Sequence, residues 1–125
     1  MSIKVVKTFL SYVYLEGDVE DLISVLEYLR DKRGRNTEDV NDAIRILRNF
    51  NTFYDILRRR FKNGLAPRKS ERDLIAGRVV VDKIKLIKNG KRRAVVVLDK
   101  RVSRDEIISV LEELCMNYEF VDMSI

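Results

Sequence analysis

Arg45, Arg48, Arg58, Arg59, Arg60 and Lys62 fall within one helical stretch, and Arg68, Lys69 and Arg72 follow it directly. Guanidinium and ammonium groups at this density do one kind of chemistry well. They grip phosphates through charge-assisted hydrogen bonds, bidentate ones in the case of arginine. Lys83, Lys85, Lys88, Lys91, Arg92 and Arg93 extend the set. Between Arg45 and Arg93 there are sixteen Lys/Arg against four Asp/Glu, whereas the flanks carry nine against sixteen. The net charge of +5 therefore conceals a middle of +12 between ends that sum to −7. A concentrated positive field draws polyanions and speeds encounter with them, so the expected partner is nucleic acid, DNA or RNA. A basic helix end is also favourable for the helix itself, and part of the Arg58–Lys62 run is explained that way. The second group, at Lys88–Arg93, is not.

Other chemistry is limited by what is missing. The chain has no His, no Trp and one cysteine, Cys115, so Ser-His-Asp and Cys-His catalysis and His/Cys zinc sites are excluded. The five glycines are scattered and form no phosphate-cradling loop or dinucleotide motif. Glu16 with Asp18, and Asp82 with Asp99, are carboxylate pairs of the kind that hold divalent cations, which leaves a metal-dependent nuclease as the one enzyme class open. The expectation is nevertheless a non-enzyme with no cofactor and no metal.

These side chains need elements to position them. Leu22, Ile23, Val25, Leu26 and Leu29 have helical spacing, and the pattern returns 85 residues later. Ile23-Ser24-Val25-Leu26-Glu27 is repeated as Ile108-Ser109-Val110-Leu111-Glu112. Asp18 is the expected cap of the first helix, and Ser103 with Glu106 that of the second. A strand-like run precedes each, Ile3–Leu15 and Arg92–Leu98. Arg78–Ile87 and Arg92–Asp99 flank Asn89-Gly90, the signature of a two-residue hairpin turn. Tyr118–Ile125 alternates as a closing strand. The predicted fold is α+β, a ferredoxin-like βαββαβ sheet. A helical insertion over 36–63, capped at Thr37 and broken near Asn49–Thr52, and an exposed basic linker over 64–77 complete a single domain, 1–125.

Alternation assigns faces to the strands. Ile3, Val5, Phe9, Val13 and Leu15 are expected to face the helices, and Lys4, Val6, Thr8, Leu10, Tyr12 and Tyr14 the open side. A two-residue turn pairs Ile84 with Val95, which puts Val95 and Val97 in the core. Ala94, Val96 and Leu98 then lie outside with Lys83, Lys85 and Arg92. Tyr12, Tyr14, Tyr118 and Phe120 become candidate base-stacking rings on that open face, beside cations that follow phosphates. An apolar open face is equally suited to a homodimer or to cover by the inserted helices.

Two resemblances bear on these residues. Val13-Tyr14-Leu15-Glu16 resembles the first aromatic-bearing strand motif of RNA-recognition-motif proteins over four residues, which implies a stacking role for Tyr14. The family continues with Asn-Leu where this chain has Gly17-Asp18, and its second motif has aromatics where this chain has Arg93–Val97. Thr52–Arg60 followed by Asn63-Gly64-Leu65, with Lys88–Lys91 as a wing, is similar to winged-helix DNA-binding proteins and implies a transcription regulator. The third reading is a non-catalytic oligomeric adaptor that binds protein through its sheet or long helix. No apolar run approaches the ~20 residues that span a bilayer. The Met1–Lys4 start and lone cysteine suit a cytoplasmic protein with no membrane partner. Charged residues at 36% and the lack of Gln resemble thermophile composition.

Overall fold

The stretch expected as one strand over Ile3–Leu15 folds back on itself. β1 (Ser2–Thr8) and β2 (Val13–Asp18) pair antiparallel, with Lys4 opposite Glu16 and Lys7 opposite Val13. Thr8 closes the turn: its N–H donates to the Tyr12 carbonyl at 2.8 Å, and its hydroxyl accepts the Tyr12 N–H at 3.2 Å. The turn sequence has no Gly, Asn, Asp or Pro, and Ser11 is its one weak mark. Directly opposed residues share a face, so the alternation survives the reversal. Ile3, Val5, Val13 and Leu15 all enter the core beneath the helices. The structure, a computed structural model, describes residues 2–8, 10, 12–60 and 64–123, without the side chains of Ser2 and Arg60. Expectations for Phe9, Arg60, Phe61, Lys62 and Ile125 lie outside what is described.

The remaining elements are α1 (Val19–Lys32), α2 (Glu38–Arg48), α3 (Phe50–Arg60), α4 (Glu71–Ala76), β3 (Val81–Lys88), β4 (Arg92–Leu98), α5 (Arg104–Glu113) and β5 (Asn117–Met123). Among the described residues they form one five-stranded sheet in the order β3-β4-β2-β1-β5. β4 lies antiparallel between β2 and β3, which makes β2–α1–β3 a split unit. β4–α5–β5 is the second, opened wider because β1 is wedged between β2 and β5. The fold is α+β, and the βαββαβ order of a ferredoxin-like sheet is carried by β2, α1, β3, β4, α5 and β5. The added pieces are β1 and the three helices between α1 and β3. The winged-helix alternative is not the arrangement found, because the hairpin supplies two strands of the main sheet.

The repeated segments occupy equivalent places. Val19, Leu22, Val25, Leu26 and Leu29 of α1 and Ile107, Val110 and Leu111 of α5 are buried in one apolar core. Each such aliphatic side chain contributes about 1.5–3 kcal/mol by leaving water. Ser103 caps α5, accepting the Glu106 N–H at 3.1 Å. Asp18 stands at the start of α1 but makes no side-chain cap, since its carboxylate is bound by Arg93. Thr37 caps α2, accepting from the Val40 N–H. The insertion breaks at Asn49, whose amide donates to the Arg45 carbonyl at 2.8 Å, and α3 then starts at Phe50. Thr52 lies inside α3, in its first turn.

Two expectations are corrected. The 64–77 segment is not a wholly exposed linker. Leu65 pairs with Ile84 through two 2.8 Å hydrogen bonds, Pro67 is buried, and Ser70 caps α4 by accepting the Asp73 N–H. The β3–β4 turn has three residues, Asn89-Gly90-Lys91, with Gly90 at φ +76°, so Lys88 faces Arg92 and Ile84 faces Val96. One extra turn residue moves β4 by one position and exchanges its faces. Ala94, Val96 and Leu98 are the buried set, and Val95 and Val97 lie on the open face.

Candidate functional site

The cations singled out in the sequence divide into two groups. Arg45 pairs with Asp42 at 2.6 Å and lies over the Phe53 ring. Arg48 pairs with Glu27 and ties α2 to α1. Arg92 pairs with Glu20 at 2.8 Å and Arg93 with Asp18 at 2.9 Å, both fastening the hairpin to the start of α1. These four arginines neutralise the acidic flank, so the separation of charge along the sequence is partly undone in space. Exposed ion pairs of this kind contribute about 0–1 kcal/mol each.

The second group has no such partner. Among the described residues, Arg58, Arg59, Arg72, Lys83, Lys85 and Lys91 have no carboxylate within 4.0 Å. Lys88 lies over the Tyr54 ring, 5.9 Å from its centre. Lys69 donates to the carbonyls of Pro67 and Asp82 and so pins the segment before α4 to β3. The Arg68 N–H donates to Asp42 at 2.8 Å. Burial pushes the Asp42 carboxyl up, but that N–H and the Arg45 guanidinium outweigh it and hold the group below its ordinary value.

Lys83 and Lys85 of this group lie on β3, an edge of the sheet, and Arg58 stands beside it on α3. The alternation of β3 sends Lys83 and Lys85 to the open face, in register with Val97 and Val95. α3 packs along the same strand, and Tyr54, Leu57, Arg58 and Lys85 line a groove of about 350 Å³. On the open face a second groove, about 440 Å³, is lined by Thr8, Leu10, Tyr12, Tyr14, Asp82, Lys83, Lys85 and Val97. Lys85 belongs to both. Gly64 makes this convergence possible. Its φ is +107°, and a Cβ there would sit 2.9 Å from the Ile84 carbonyl and 3.1 Å from the Lys85 side chain. Only glycine lets the chain pass that close.

Of the four candidate stacking rings, two are on the open side and two are not. Tyr14 lies on the open face between Val6 and Val97. Tyr12 is at the end of the β1–β2 turn, with Lys100 5.2 Å from its ring centre. Tyr118 and Phe120 face the helices instead, packed against the core. The Tyr118 hydroxyl donates to Glu112, whose carboxylate pushes that phenol up, and Arg104 lies 4.8 Å from the Phe120 ring centre. The sequence signal for this was the pairing partner: a strand beside β1 in parallel register inherits its alternation, with Tyr118 next to Ile3 and Phe120 next to Val5.

Glu16 and Asp18 share the open face. Glu16 stands opposite Lys4, and Asp18 is held by Arg93. Among the described residues, no group of three or more Cys, Asp or Glu side chains converges, and no helix is long and apolar enough to cross a membrane. Comparison with protein-family models, with curated proteins and with solved structures gives no match for this chain.

Proposed function

We propose that this protein binds nucleic acid, with the β3 edge, α3 and the hairpin tip as the phosphate-contacting surface. The observation that carries the reading is the position of Lys85. It lines two adjacent grooves, with Arg58 beside it in one and Lys83 in the other, and none of the three is neutralised by a described carboxylate. Exposed cations without internal partners keep their full attraction for an incoming polyanion. Arg59, Lys88 and Lys91 extend the same field to the helix end and the turn. Arg45, Arg48, Arg92 and Arg93 play a structural part in this reading, as tethers between elements.

The test is fluorescence anisotropy with labelled single- and double-stranded DNA and RNA over a range of salt. Four phosphate contacts give a slope of log affinity against log salt of about −3 on a single strand and somewhat steeper on a duplex. The pair Lys83→Gln and Lys85→Gln lowers affinity on every substrate and flattens that slope. Wild-type affinity in the double variant removes the reading.

A protein-binding role for the sheet has one observation in its favour. β5 is the other edge, and its last residue Met123 and Leu10 in the β1–β2 turn are both more than half exposed. Salt separates the two readings, because an apolar interface changes little as ionic strength rises.

A further inference from the structure

Within the nucleic-acid reading, on which it rests, we infer that the open-face groove takes a base of single-stranded nucleic acid, stacked on Tyr14 with its phosphates on Lys83 and Lys85. Tyr14 is half-buried, yet neither its ring nor its hydroxyl has a partner among the described residues. Tyr12, Tyr54, Phe50, Phe53 and Phe120 all have a ring or cation contact, Tyr118 has a hydrogen bond, and Tyr28 packs against the core. Tyr14 is thus an aromatic ring without such a partner that lines the same groove as two unpartnered lysines, Lys83 and Lys85.

The geometry of the ligand decides between strand types. In a duplex both faces of each base are covered by its neighbours, and what reaches the protein is base edges and phosphates. A single strand can turn a base out and lay its face on a ring, an arrangement that tolerates any sequence because every base has such a face. The groove floor is apolar, with Val97 and Tyr14 side by side in the sheet, and the cations stand along the neighbouring edge strand. An apolar floor with a charged border matches a planar base joined to an anionic backbone. Asp82 also lines the groove. It leaves the site with a net positive charge and adds one acceptor suited to a base amino group.

The experiment compares wild type, Tyr14→Leu, Tyr14→Phe and the Lys83→Gln/Lys85→Gln double variant. Each is titrated into a labelled dT12, a labelled U12 and a labelled 12-base-pair DNA duplex. Tyr14→Leu loses about tenfold on the single strands and less on the duplex, and Tyr14→Phe, which keeps the ring, stays within about twofold of wild type. The chain has no Trp, so tyrosine emission is observable directly, and dT12 or U12 quenches it in the wild type. Loss in the lysine variant with unchanged single-strand affinity in Tyr14→Leu overturns the stacking inference and leaves nucleic-acid binding standing. Binding without tyrosine quenching overturns it too, and does so even where Tyr14→Leu fails to fold. Wild-type affinity in the lysine variant removes both. Preference for dT12 or for U12 identifies which single strand the groove serves.

Discussion

The Oδ2 atom of Asp39 accepts the N–H of Val81 at 2.7 Å, and at the same distance it accepts the N–H of Val80. Asp39 is fully buried in the first turn of α2, and Val81 opens β3. One carboxylate thus fixes where the inserted helices meet the edge strand that carries Lys83 and Lys85. Its other oxygen, Oδ1, is buried with no hydrogen-bond partner among the described residues. The two backbone donors of β3 and the positive end of α2 meet at this one side chain.

Replacing it tests that account. Asp39→Ala leaves two buried N–H groups without an acceptor and destabilises the fold by about 2–4 kcal/mol, read from the urea midpoint. Asp39→Asn keeps the shape and one acceptor and costs less, about 1–3 kcal/mol. Equal losses for the two would show that packing, not the charge-assisted bonds, holds the junction.

Gly64→Ala tests the edge cover. The left-handed backbone and the 2.9 Å approach to the Ile84 carbonyl leave no room for a methyl group. Strain of this kind costs about 1–3 kcal/mol, and its relief frees the Leu65–Ile84 hydrogen bonds. Amide exchange at Leu65 and Ile84 should rise before exchange in the central strands does. Protection equal to wild type would count against this role for the glycine.

The two groups of cations should separate in a binding assay. Arg48→Ala removes the pair with Glu27 and shifts stability by about 0–1 kcal/mol, with nucleic-acid affinity within about twofold of wild type. Arg58→Ala with Arg59→Ala lowers affinity and flattens the salt slope by about 1–2. Asp82→Asn removes the one carboxylate of the open-face groove and tightens binding, most at low salt. The opposite order of effects would relocate the interface to α2.

Acid stability follows from Glu106, Asp42 and Asp73. The Arg35 guanidinium holds Glu106 below its ordinary value of 4.5, through hydrogen bonds of 2.8 and 2.6 Å and against the opposing push of burial. Asp42 and Asp73 are likewise lowered from 3.8, Asp73 first by Ser70 and then by the Glu38 N–H. A lowered folded value means that the unfolded chain takes up protons first as pH falls. Their stabilisation is complete above about pH 4.5 and is lost on the way down through the lowered values. The urea midpoint should hold from pH 7 to 5 and fall below 4.5. Glu106→Gln lowers it at pH 7 and flattens the acid limb.

Helical elements were readable because their information is local. Leu22, Val25, Leu26 and Leu29, or Val40, Ile44 and Leu47, declare a face within a dozen residues, and Thr37 and Ser103 mark starts. The failures were decided at a distance or by a single residue. The β1–β2 turn depends on the Thr8 hydroxyl, a contact that alternating residues conceal. The face of β4 depended on whether Lys91 belongs to the turn. The site was half legible for the same reason. Charge density pointed to Arg58, Lys83, Lys85 and Lys88, but sequence distance hid that Asp18, Glu20 and Glu27 reach Arg93, Arg92 and Arg48. Ser70-Glu71-Arg72-Asp73 was the available sign of α4, masked by the basic residues around it.

β5 joins the sheet through β1 alone, so the outer side of β1 stays open until a strand more than a hundred residues further along the chain has formed. Until then β1 is paired with β2 on one side only. Removing β1 strips both β2 and β5 of a neighbour, whereas removing β5 uncovers β1 alone.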